Sequence, residues 1–190
     1  VNMVRYHGSI WDGDSADPTV LDKKLMDHLY YFQASLKKQG IYMYLSFYFP
    51  LWFNVKESYG IPGYSSIDNK KPFSLLYFHP RMQEIYKSWA RALMTDVNPY
   101  TGKSFADDPA VGLVEINNED NYLFWTFNPY KNIPAECMHV LEGKFYNWLM
   151  KKYGSIEKAQ AAWGGNVQAK GDDFAGKRAV MAGCRLCWGG

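Results

Sequence analysis

Between Val111 and Asp120 a short apolar run, Val-Gly-Leu-Val-Glu-Ile, closes on an amide beside a carboxylate, Asn118 and Glu119. This stretch limits the folds open to the chain more than any other. In parallel α/β architectures the carboxyl ends of the strands converge on one mouth, while the opposite ends serve stability. A strand that stops on Asn and Glu is therefore expected to deliver both groups to such a mouth.

The rest of the chain alternates in the same sense. Val1 to His7 is a short apolar and β-branched run, followed by a polar loop with Trp11, Asp12, Asp14 and Ser15. Leu21, Leu25, Leu29, Phe32 and Leu36 then recur at helical spacing until Gly40, with Asp17 as the expected cap and Pro18 in the first turn. Ile41 to Phe49 is apolar or aromatic on both faces apart from Ser46, as a strand covered on both sides would be. Residues 50–78 form an insertion far longer than the usual connection of about 2 to 6 residues. Pro80 opens a second helix with Met82, Ile85, Trp89 and Leu93 on one face, and Asn98-Pro-Tyr-Thr-Gly102 has the composition of a turn. Met138, Leu141, Phe145, Trp148 and Leu149 mark a third helix, and Ser155 caps a short fourth that ends near Trp163 and Gly164. Three strands alternating with helices predict βαβ crossovers and a parallel sheet. The pattern weakens over residues 165–190, so the chain reads as one domain with a weakly patterned tail.

Composition narrows the function classes. The 190 residues fall short of the roughly 250 of a complete eightfold barrel, and the opening Val-Asn-Met-Val reads as the middle of a fold without a signal segment. Aromatic residues make up 17%, enough to fill a core and still line a cleft with flat ring faces. A net charge of +2 without a basic block gives no sign of nucleic acid as partner, and no apolar run reaches the length of a membrane span. Cys184 and Cys187 have two residues between them and only Cys137 besides, too few for a structural zinc site. Asp12, Asp14 and Asp17 lack the rest of a calcium loop and read as a solvated turn and a helix cap. No metal and no cofactor is expected.

Several segments carry a resemblance. Val4-Arg-Tyr-His7, Lys37-Lys-Gln-Gly-Ile-Tyr42, Asn98-Pro-Tyr-Thr-Gly102, Asp108-Pro-Ala-Val111 and Val114-Glu-Ile-Asn-Asn-Glu-Asp120 together resemble the clan A glycoside hydrolases, in particular cellulase-like and β-galactosidase-like bacterial members. Trp148-Leu-Met-Lys-Lys-Tyr-Gly154 and Ala161-Ala-Trp-Gly164 extend the likeness, which covers roughly residues 1 to 165. It implies a partial (β/α)8 TIM barrel comprising about the second to fourth strands with their helices, from a retaining hydrolase of β-linked glycosides or polysaccharides.

The same resemblance implies roles. Glu119 matches the acid/base that protonates the leaving oxygen and then deprotonates the attacking water, and Asn118 the group that binds the sugar 2-hydroxyl. Arg5 matches an arginine that supports the nucleophile. That nucleophile lies on a later strand, so the chain alone is expected to be inactive. From their places after or beside the strands, His7, Trp11, Trp52 and Trp125 join Arg5 and Asn118 as candidate substrate contacts. Glu115 is expected to be a buried, paired residue of the barrel rather than a second catalyst. The alternative is a non-catalytic, carbohydrate-binding degenerate barrel. An enzyme of phosphorylated metabolites fits less well, since no Gly-rich phosphate loop opens a helix. The partner is in either preferred case a carbohydrate, with export to the periplasm or medium an open expectation and oligomeric state undetermined.

Overall fold

The computed structural model describes residues 1–123, 128–164 and 170–181. β1 (Met3–His7), β2 (Tyr42–Ser46) and β5 (Val111–Glu115) form one parallel sheet in the order β1-β2-β5. Its register sets Arg5 beside Tyr44, His7 beside Ser46, and Ser46 in turn beside Glu115. Because strand side chains alternate with period two, these residues share one face, and Met43 and Leu45, both fully buried, share the other.

The helices cover that second face. α1 (Lys23–Lys38) begins where the Asp22 carboxylate accepts the backbone N–H groups of Lys24 and Leu25, and it buries Met26, Leu29, Gln33 and Ala34. Asp17 is not the cap: it accepts from the Thr19 backbone and hydroxyl in the preceding loop. That loop folds back, with Trp11 bridged to Leu21, so the helix starts five residues later than spacing suggests. α3 (Pro80–Thr95) starts on its proline, after the single turn of α2 (Leu75–Phe78), and buries Met82, Ile85, Trp89 and Leu93. Trp89 is the centre of the core, stacked on Trp11 at 4.5 Å and met edge-on by Phe53 at 5.0 Å. Its Nε1–H donates to the Pro18 carbonyl at 2.8 Å.

The long insertion is a packed part of the interior. Three 3-10 turns, at Pro50–Trp52, Glu57–Tyr59 and Tyr64–Ser66, deliver Phe53, Tyr59, Ile61 and Tyr64 to full burial. A separate antiparallel ribbon, β3 (Val97–Asn98) and β4 (Lys103–Ser104), turns through Gly102 in the left-handed region. Further on, α4 (Pro129–Asn132), α5 (Ala135–Tyr153) and α6 (Ile156–Ala162) follow, the last capped by Ser155. α5 and α6 enclose a smaller cluster of Leu149, Ile156, Ala159 and Ala179.

This architecture corrects the expected partial barrel. A barrel closes only when every strand has a neighbour on each side. Among the described residues β1 and β5 have one neighbour each, and the other two strands pair only with one another. The sheet is open. β5 is apolar but not covered: Leu113, Val114 and the following Ile116 are exposed. No helix among the described residues is long and apolar enough to cross a membrane.

Candidate functional site at the strand carboxyl ends

Three parallel strands bring three carboxyl ends to one rim. Arg5 on β1 reaches across β2, and its Nη2 donates to Glu115 Oε2 at 2.5 Å, to Asn118 Oδ1 at 2.8 Å and to Ser46 Oγ at 3.3 Å. The guanidinium also lies over the Tyr44 ring, 5.4 Å from its centroid. Burial alone would raise the Glu115 pKa. The Ser46 hydroxyl, Arg5 and the Tyr44 hydroxyl outweigh it and hold the carboxyl below its ordinary value.

His7 stands beside this group. Its Nδ1 is 2.9 Å from Ser46 Oγ, and its ring meets Trp52 at 4.4 Å and Phe49 at 5.9 Å between centroids. Phe49 and Trp52 are themselves edge to face at 5.6 Å. Desolvation and the nearby Arg5 charge lower the His7 pKa against the opposing Glu115 and Glu119 carboxylates, so the ring is neutral at pH 7. An aromatic wall thus flanks a row of hydrogen-bonding groups.

β5 stops at Glu115, and Asn117 to Asp120 make a turn. The Asn118 N–H donates to the Tyr48 carbonyl at 3.0 Å, which fastens the turn to the continuation of β2. Because Asn118 Oδ1 accepts from Arg5, its amide NH2 is presented away from the guanidinium as a donor. Glu119 is exposed at φ 46, in the left-handed region that a non-glycine residue adopts only when its surroundings hold it there.

Arg5, His7, Trp52, Asn118 and Glu119 therefore share this rim. Trp11 does not: at 4% exposure it belongs to the core around Trp89. Trp125 lies outside the described residues, as do Cys184 and Cys187. Cys137 is buried, with a thiol whose pKa burial pushes up to about 12. Sequence reasoning gave no site role to Ser46 or Phe49. Ser46 had a usable signal as the lone polar residue in an otherwise apolar run, whereas Phe49 was indistinguishable from core. No group of three or more His, Cys, Asp or Glu among the described residues is placed to hold a metal ion.

Neither a family model nor a curated protein matches the chain. With the open sheet, this corrects the resemblance to clan A glycoside hydrolases and what it implied: the retaining hydrolase, the glycosidase activity and the degenerate binding barrel. Those roles required a closed mouth with strands on all sides, and the rim found here is one open edge.

Proposed function

We propose that the carboxyl ends of β1, β2 and β5 bind a neutral, hydroxyl-rich ligand of the carbohydrate class, with Arg5, His7, Asn118 and Glu119 as polar contacts and Trp52 as ring face. The observation that carries this reading is the Arg5 guanidinium, held at once by Ser46, Glu115 and Asn118 on one side of an aromatic wall. The charges support a neutral ligand. Arg5 is already compensated by Glu115, the His7 ring is uncharged, and Glu119 leaves the rim with a negative excess that repels anions.

The fixed donors and acceptors suit hydroxyl groups, and the Trp52 ring suits the apolar C–H face of a sugar. The reading concerns binding alone. Calorimetric titration of the chain with a panel of neutral mono- and oligosaccharides tests it. Saturable binding is expected for at least one, weakened about tenfold or more by Asn118→Ala and by Trp52→Ala, the loss of about one good contact each. Absence of saturation throughout the panel, or affinity untouched by both substitutions, would refute the reading.

A further inference from the structure

Behind the exposed rim lies a second, buried set of polar atoms. Asp120 is 5% exposed, and Ser74 and Tyr48 are fully buried. Asp120 Oδ1 accepts the Ser74 backbone N–H at 2.7 Å. Its Oδ2 has no hydrogen-bond partner among the described residues, and neither have Asn117 Oδ1, Ser74 Oγ and the Tyr48 hydroxyl. These residues belong together: Asn117 Nδ2 donates to the Asp120 carbonyl at 2.9 Å, and Tyr48 is electrostatically coupled to the Asp120 carboxyl. Interiors seldom leave even one such atom without a partner, because it gives up its hydration for nothing.

The four oxygens differ in what they lack. The two hydroxyls can donate or accept, whereas an ionised Asp120 Oδ2 and the Asn117 amide oxygen can only accept. An ionised Asp120 puts a charge on an Oδ2 that no donor meets among the described residues, with no basic side chain among the groups that face it. A neutral Asp120 carries an O–H of its own, a donor for acceptors such as the Asn117 amide oxygen. The turn it would secure is held out of the common backbone regions at Glu119, and its inner side is gripped through the Asp120 carbonyl, which accepts from the Tyr77 hydroxyl as well as from Asn117.

We propose that Asp120 is a positioning residue for the rim: as the neutral acid it closes the inner side of the Asn117 to Asp120 turn and fixes Asn118 and Glu119, and its ionisation loosens them. This rests on the reading of the rim as a ligand site. The titratable groups that face Asp120 are phenols, Tyr48 beyond the end of β2, Tyr64 in the insertion and Tyr77 on α2. On the outer side of the turn stand Arg5, His7, Glu115 and Glu119. Burial, against the opposing Ser74 N–H, pushes the Asp120 pKa up to about 6, which places the change within reach of ordinary buffers.

The test has two arms. In the first, amide correlation spectra of the ligand-free chain follow the Asn117 and Asn118 side-chain NH2 signals from pH 4.5 to 8. His7 titrates nearby, so the difference between wild type and Asp120→Asn isolates the Asp120 component. A step with a midpoint near 6 is expected in the wild type and absent from Asp120→Asn, whose signals keep their low-pH positions. Should that variant not fold, Tyr48→Phe serves instead. It removes a donor available to the ionised carboxyl and is expected to raise the midpoint. An Asn118 signal that does not sense the step, a step that persists in Asp120→Asn, or an unmoved midpoint in Tyr48→Phe overturns the proposal.

In the second arm, wild type is expected to bind a neutral oligosaccharide at least about threefold more tightly at pH 5 than at pH 8, beyond any change in Asp120→Asn. Equal pH dependence in both proteins overturns the coupling. If no saccharide binds either protein while the ligand-free step is present and Asp120-dependent, the ligand reading fails and the positioning of Asn118 stands.

Discussion

Arg5 and Glu115 lie on strands that do not touch, with the whole of β2 between them, yet their side chains meet at 2.5 Å across 110 residues of sequence. Arg5 is set beside Tyr44 in the register and Glu115 beside Ser46, so the guanidinium reaches Glu115 by running along β2, over the Tyr44 ring and onto the small, polar Ser46, which it bonds at 3.3 Å. A side chain of ordinary core size at that position would block the pair. The rim is thus assembled from the middle strand outward.

Since both partners are partly exposed, the pair is a modest source of stability and a larger source of order. A double-mutant cycle of Arg5→Ala and Glu115→Ala, read by chemical denaturation, is expected to give a small but favourable coupling. The coupling should shrink in high salt, as screening requires. A coupling indistinguishable from zero at low salt would separate the two residues.

Trp89 tests the core beneath the rim. It is fully buried, stacked on Trp11 and bonded to the Pro18 carbonyl. Trp89→Ala is expected to cost about 3–5 kcal/mol in denaturant unfolding, chiefly by leaving a cavity. Trp89→Phe should cost less, since the ring stack survives in part while the Pro18 carbonyl loses its donor.

Asp108 links α1 to the start of β5. Its buried carboxylate accepts from Lys37 at 2.8 Å and from Gln33 at 3.1 Å, and Gln33 in turn accepts from Asn98. Burial would raise the Asp108 pKa, but Lys37, the Ala110 N–H and Gln33 outweigh it and hold the carboxyl below the ordinary carboxylate range. A group depressed in the folded state stabilises above its unfolded pKa, and that contribution is lost as pH falls through the folded value. Lys37→Met is therefore expected to cost about 1–3 kcal/mol near neutral pH, since Lys37 is partly exposed and Asp108 keeps Gln33 and the Ala110 N–H, and to move the onset of acid unfolding upward. Equilibrium unfolding measured from pH 2 to 7 checks both.

Asp120 has the opposite sign. Its folded pKa of about 6 lies above the ordinary 3.8, so the native state binds the extra proton between those values. The stability it contributes is complete below about pH 4, falls as pH rises to about 6, and amounts to about 3 kcal/mol over that window. Asp120→Asn imitates the neutral form. Its stability relative to wild type should rise across the window and level off above it, and a flat difference would show that Asp120 ionises as freely as in the unfolded chain.

Much of this arrangement was readable from local pattern, and the unread parts share a cause. Pro80 and Ser155 start helices where their chemistry places them, and the period of Leu25, Leu29, Phe32 and Leu36 marks α1. Asp22 and not Asp17 caps α1, because the loop first returns through Trp11 and Leu21. Barrel closure is a relation among strands, and an apolar run such as Val111 to Ile116 carries no record of whether a neighbour covers it. The site divides in the same way. Asn118 and Glu119 announced themselves by position, but the pairing of Arg5 with Glu115 depends on a register that no single segment encodes. Asp120 carries no local signal, because its partner Ser74 lies far away in the insertion.

Chemical-shift mapping of the isotope-labelled chain against neutral oligosaccharides shows directly whether the rim binds a sugar. Saturable shifts confined to Arg5, His7, Trp52 and residues 117–120, and abolished by Asn118→Ala, are the expected result. Shifts centred elsewhere, or none at millimolar sugar, would contradict sugar binding at the rim.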